Sequence, residues 1–187
     1  MIKRERFLLG VIKIPNFIRC RISNFIYSCA FSCSNLKIGR NVSISNSKQI
    51  FIGDNVYIGN QSWFDAIDKG VICIGSDVSF SQNVHIAACH KVTIGNGCLI
   101  GSDVLITDHD HSFSKNMINI IPKNRPLTIK GETELSENVW LGDNVKILSG
   151  VKLGRNVIVA ANSVVTRSFP DNVIVAGIPG TIIKNLE

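Results

Sequence analysis

LSENVWLGDNVKILSGVKLGRNVIVAANSVV, residues 135–165, carries an aliphatic side chain at every sixth position: Leu135, Leu141, Ile147, Leu153, Val159 and Val165. Four of these have a valine two residues ahead, Val139, Val145, Val151 and Val157. A helix face repeats at three and four residues and a half-buried strand at two, so a period of six is neither alone. It reads as a very short strand closed by a tight turn, because Gly, Asn, Asp and Ser fill the positions between the aliphatic ones. Earlier copies are NVSISN (41–46), IFIGDNVYIGN (50–60), VICIGSDVSFSQNVHI (71–86) and VTIGNGCLIGSDVLI (92–106). Three such units close one triangular coil, and stacked coils bury the aliphatic residues inside a prism. The pattern therefore predicts an all-β parallel β-helix over residues 36–187, with a short helical segment over 1–35 as its N-terminal cap.

The chain has 187 residues, a normal size for one domain. The six cysteines (Cys20, Cys29, Cys33, Cys73, Cys89 and Cys98) form no Cys-x-x-Cys pair and read as reduced core thiols. No apolar run is long enough to span a bilayer. The net charge of +6 is concentrated at the start: Lys3, Arg4, Arg6, Lys13, Arg19, Arg21, Lys37 and Arg40 stand against Glu5 alone. The β-helix itself is close to neutral, which argues against a nucleic-acid surface there. Apolar positions at helical spacing, Phe7, Leu8, Val11 and Ile12, then Ile18, Ile22, Phe25, Ile26 and Cys29, suggest two short helices broken at Pro15. Three readings stand for this segment: a cover for the open first coil, a basic amphipathic element in peripheral contact with an anionic membrane, or a signal peptide.

The repeat stops at Ile106-Thr-Asp-His-Asp-His111, and SFSKNMINIIPKNRP, residues 112–126, is irregular. An excursion over about 111–126, with repeats resuming near Leu127, is expected to carry the chemistry, since function gathers where a strict repeat is broken. In an extended segment His109 and His111 project to one side and Asp108 and Asp110 to the other.

VWLGDNVKILSGVKLGRNVIVAANSVVTRSFPDNVIVAGIPG, residues 139–180, joins a coil-opening Trp to Ala-x-Ser-Val-Val-Thr-Arg and a Gly-x-Pro close. In these features the chain resembles the hexapeptide-repeat acyltransferases, most of all the sugar and surface-polysaccharide O-acetyltransferases related to galactoside and maltose acetyltransferases. The resemblance is specific over residues 92–187, rests on the repeat alone over 36–91, and is absent from 1–35. It implies a left-handed β-helix, a cytoplasmic homotrimer with sites between chains, and acetyl-CoA as cosubstrate without a metal. It also implies a His general base. Counting without gaps from Thr93 lands on His111, with His109 second, and no Ser or Cys nucleophile is needed. For coenzyme A the resemblance implies Trp140, Ala161, Thr166, Arg167 and Lys184. Ala160 and Ser163 are further small residues that let a pantetheine arm approach the backbone. For the acceptor, a sugar hydroxyl or an amine, Ser81, Asn83 and His85 are expected to line the cleft below the histidines. A rival reading takes His85 and His90, with His109 or His111, as zinc ligands like those of the gamma-class carbonic anhydrases, which share the β-helix.

Overall fold

The computed structural model describes residues 20–186. Residues 36–177 wind into a prism with three faces. The first face stacks Lys37–Ile38, Tyr57–Ile58, Ser79–Phe80, Leu99–Ile100, Trp140–Leu141, Ile158–Val159 and Val173–Gly177. The second stacks Ser43–Ser45, Trp63–Ala66, His85–Ala88, Leu105–Thr107, Lys146–Ile147 and Val164–Val165. The third stacks Ile50–Ile52, Val71–Ile74, Lys91–Ile94, Thr133–Leu135 and Lys152–Leu153. Every pairing between coils is parallel and in register, so residues of like position form vertical columns. Leu135, Leu141, Ile147, Leu153, Val159 and Val165 are all buried in one continuous core, as the six-residue period requires.

The corners explain the composition between the aliphatic positions. Asn35, Asn55, Asp77, Asn138, Asn156 and Asn172 precede first-face strands in left-handed backbone, and Asn41, Gln61, Asn83, Asp103, Asn144 and Asn162 do so before second-face strands. Asn and Asp tolerate this conformation because a short polar side chain bonds locally. Stacked corners lie one strand spacing apart, about 4.8 Å, so the side chains also link coil to coil. Asn35 Nδ2 donates to Asn55 Oδ1 at 3.0 Å, and Asn156 Nδ2 donates to Asn172 Oδ1 at 2.7 Å.

Both open ends are closed. Helix α1 (residues 20–31) lies against the first coil, packing Tyr27 and Phe31 on the core. Its Asn24 Oδ1 accepts from the Ile38 N–H at 2.9 Å and its Ser28 Oγ accepts from the Leu36 N–H at 3.2 Å. These are edge groups with no coil beneath them. The first of the two expected helices falls outside the described residues. At the far end Gly180–Asn185 turns back antiparallel on Val173–Gly177, ending the parallel stack. All six cysteines are free, but only Cys98 is buried and Cys29 is exposed, so the expectation of six core thiols holds for one.

The single interruption of the winding is an arm at the corner between the second and third faces. It runs from Asp108 to Gly131, longer than the irregular sequence suggests. His109–His111 pairs antiparallel with Leu127–Ile129, so the strand at Leu127 belongs to the arm's stem and the prism resumes at Thr133. Leu127 and Ile129 look aliphatic and periodic, yet both are exposed.

Gly95 tests how tightly the coils stack. A Cβ there would meet the Ser136 carbonyl carbon of the next coil at 2.6 Å, a contact between two backbones that ladders hold in place. Gly95→Ala is expected to cost about 1–3 kcal/mol, read as a lowered midpoint of denaturant unfolding. An unchanged midpoint would mean the coils have more slack than the structure shows.

Candidate active site

The site is built around Asp108, where the chain leaves the second face. Its side chain is fully buried. One carboxylate oxygen accepts from the Cys89 N–H at 2.8 Å, and the other from the His90 and Lys91 N–H groups at 2.7 Å each. These three donors belong to the corner of the coil below, where the departing chain leaves ladder groups without their usual partners. A buried ionised carboxylate is tolerable only with such donors.

Polar side chains complete the stem. Thr133 Oγ1 donates to the Thr107 carbonyl at 2.9 Å and accepts from the Gly150 N–H at 3.0 Å. Ser149 Oγ donates to the Asp108 carbonyl at 2.5 Å and accepts from the Lys130 N–H at 3.1 Å. Thr107, Asp108, Thr133 and Ser149 are all buried, so the root of the arm is a closed hydrogen-bond network.

His109 is held by this network. Its Nδ1 lies 3.0 Å from the Asp108 carboxylate and 3.1 Å from Thr107 Oγ1. Its side chain is 13% exposed. The bend at Asp108 breaks the alternation assumed for an extended strand, which is why neighbouring side chains meet and do not point apart. With Nδ1–H donated to a carboxylate, the lone pair of the neutral ring resides on Nε2. His111 lies two pairs further out, opposite Leu127, exposed and with no hydrogen-bond partner for its ring among the described residues.

His85 stands one coil below on the second face. Its ring stacks on Trp63 with centroids 4.4 Å apart and planes 7° from parallel. Its Nε2 is buried with no partner. Burial pushes the imidazole below its ordinary pKa, the nearby Asp65 charge opposes this, and His109 adds to the lowering. Cys89, beside His109, has its thiol pushed up to about 11 by burial and by the charges of Asp108, Asp68 and Asp65.

The zinc reading does not fit this arrangement. Among the described residues the ligand atoms that gather are those of Cys89, Asp108 and His109, not a set containing His85 and His90. His90 instead faces Glu132 at 3.7 Å. The Asp108 oxygens are already occupied by backbone donors, and Cys89 is held as a thiol.

A second feature lies on the first face. Ser81, Gly101, Trp140, Gly142, Ala160 and Ala161 line a groove of about 530 Å³. Trp140 stacks in register between Leu99 and Ile158, half exposed, and Ala161 is exposed at the corner. Ser163 is not part of it: the residue is buried and its Oγ accepts from the Gly177 N–H at 3.1 Å.

The expected acceptor residues separate along the coil. Ser81 joins Trp140 in the first-face groove, and Asn83 is the corner between, with its side chain donating to Asp103. Only His85 lies on the second face, which leads up to Asp108 and His109. The six-residue stride carries the chain round a corner within those few residues. Thr166 and Arg167 follow the last second-face strand, with Arg167 over the Phe169 ring at 5.5 Å, and Lys184 sits in the closing strand opposite Ile174. The corner bearing His109 is opposite the first face, so one chain holds the groove and the histidine on opposite sides of the prism.

Thr107, Thr133, Ser149 and Trp63 belong to no motif in the sequence, and strand alternation sets Asp108 away from His109. A signal existed for Thr133, which interrupts the aliphatic column Ile50, Ile72 and Val92.

Comparison with known proteins agrees with the fold. The bacterial transferase hexapeptide (six repeats) family model matches residues 132–167. WbbJ of Escherichia coli (strain K12), named as a putative lipopolysaccharide biosynthesis O-acetyl transferase, is 41% identical over 146 residues, covering 75% of this chain and 74% of its own. The galactoside O-acetyltransferase of the same organism is 32% identical over 148 residues, covering 75% of this chain and 66% of its own. Among solved structures, a mutant of AntD, an N-acyltransferase from Bacillus cereus, in complex with dTDP and coenzyme A, superposes with a TM-score of 0.71 at 27% identity, covering 84% of this chain and 85% of its own. A parallel β-helix with six-residue repeats, and an identity of 41% to a relative matched over 74% of its length, place this chain in the hexapeptide-repeat acetyltransferases.

Proposed function

We propose that the protein moves an acetyl group from acetyl-CoA directly to a sugar hydroxyl, in a precursor of a surface polysaccharide, with His109 as general base. The observation that carries the reading is the Asp108–His109 contact at 3.0 Å, which fixes the ring with Nδ1 engaged and Nε2 as the basic nitrogen. Nε2 takes the proton of the acceptor hydroxyl as its oxygen attacks the thioester carbonyl. The tetrahedral intermediate then expels the coenzyme A thiolate, and the imidazolium returns the proton to sulfur. The likeness to WbbJ and the galactoside enzyme favours oxygen as nucleophile. The likeness to AntD keeps an amino-sugar acceptor as the second reading.

His109 is the base in this reading, and the order that ungapped counting suggests, His111 first, is reversed. His111 has neither the buried carboxylate nor the shelter that sets a tautomer. Trp140 and Ala161 hold the pantetheine arm in the first-face groove, and Thr166, Arg167 and Lys184 bring polar and positive groups to the rest of the coenzyme. Since groove and histidine occupy opposite sides of one prism, a complete site takes its base from one copy and its groove from another. A cyclic homotrimer in the cytoplasm accommodates that.

His109→Ala is expected to lower kcat by about 10²–10⁴-fold while acetyl-CoA binding, followed by calorimetry, persists. His111→Ala should stay within a few-fold of wild type in thiol-release assays, and the reverse pattern would hand the role to His111. Asp108→Asn keeps the shape of the side chain but removes the charge facing Nδ1. A fall in kcat with little change in the KM for acetyl-CoA is predicted, whereas wild-type kcat would deny Asp108 its part. His85 gives a pH signature. Its folded pKa lies below the unfolded value of about 6.5, so the neutral ring stabilises the fold fully above that value and the contribution is lost as pH falls below it. His85→Phe keeps an aromatic stack on Trp63 and should flatten the fall in Tm between neutral and mildly acidic pH, and an unaltered slope would place its origin elsewhere.

A further inference from the structure

Helix α1 presents two apolar sides. Tyr27 and Phe31 pack on the first coil, while Ile22, Phe25 and Ile26 on the outer side are 58%, 71% and 58% exposed, with Cys29 also exposed. The spacing of these four is that of one helical stripe. Exposed large apolar residues scattered singly are ordinary, but a contiguous stripe on a solvent-facing helix marks a contact surface.

The charge around the stripe identifies what it contacts. Arg21 and Lys37 line the same shallow depression as Phe25. Arg40 and Lys48 lie on the coil-facing flank of the helix, in the depressions beside Tyr27. All four are exposed or partly so. In the sequence, residues 1–40 carry eight basic side chains against Glu5 alone, and the β-helix beyond is close to neutral. A second protein copy brings the same positive charge to the contact and is repelled. An anionic surface with an apolar interior matches both features: acyl chains take Phe25 and its neighbours, and the headgroups take the flanking Lys and Arg. Among the described residues no helix is long and apolar enough to cross a membrane, so the geometry is that of a helix lying in the interface.

We infer that the outer stripe of α1, Ile22, Phe25 and Ile26 with its basic flank, docks the N-terminal end of the prism on an anionic lipid bilayer. The stripe lies at the end of the prism, away from both the His109 corner and the Trp140 groove, so docking leaves those features clear. The inference does not depend on the acetyl-transfer reading.

The test is sedimentation of the full-length protein with vesicles of phosphatidylcholine alone and of phosphatidylcholine mixed with phosphatidylglycerol. Wild type should co-sediment with the anionic vesicles, be released by salt, and stay in solution with the neutral ones. Phe25→Glu combined with Ile26→Glu should abolish vesicle binding with the melting curve and sedimentation mass unchanged. Lys37→Glu, which leaves the stripe intact, should weaken binding by at least about five-fold, the worth of one basic residue near such a surface. Absence of co-sedimentation, equal binding to both vesicle types, or undiminished binding by the double variant overturns the inference. So does a drop in sedimentation mass in the double variant, which would make the stripe an interface between copies.

Discussion

A buried carboxylate that must collect backbone donors governs the corner where the arm leaves the prism. A parallel β-helix satisfies its backbone by stacking each coil on the next, and any departure from the winding strands N–H and C=O groups on both sides of the gap. Asp108 stands at the departure point and takes three of those N–H groups. Thr133 and Ser149 take the matching carbonyls of Thr107 and Asp108. The interaction that makes the arm structurally possible also fixes the His109 ring. The cost is a charge held in the interior, tolerated because three backbone N–H groups of the coil below and the His109 ring surround it.

The prism divides the remaining work by face. The first face offers a groove floored by Gly101, Gly142 and Ala160, where small residues let a ligand approach the backbone, with Trp140 as its wall. The second face carries the Trp63–His85 stack and leads up to His109. Placing these on opposite sides of one chain makes little sense for an isolated protomer.

The repeat was fully legible because burial follows it residue by residue: the six aliphatic positions that define the period are all interior. The corners were legible too, since left-handed backbone calls for Asn, Asp or Gly and the chain supplies them. The arm was legible as an interruption but not in its extent. Leu127 and Ile129 have the look of a prism strand, and only their antiparallel partner at His109–His111 reveals a stem. The contact between Asp108 and His109 was hidden for a related reason. Pattern counting assumes an uninterrupted extended chain, whereas the bend at Asp108 turns Asp108 and His109 toward each other. Ser81, Asn83 and His85 separate onto two faces and the corner between them because a six-residue stride crosses a corner, so closeness in sequence does not mean a shared face.

The most direct measurement is the nitrogen-15 spectrum of His109 in histidine-labelled protein at neutral pH, assigned through the His109→Ala variant. A protonated Nδ1 and a bare Nε2, with the pattern lost in Asp108→Asn, is the predicted result, since the buried carboxylate accepts the Nδ1 proton. A protonated Nε2 in the wild-type protein, or a tautomer indifferent to Asp108, would contradict the claim that the root of the arm sets the base.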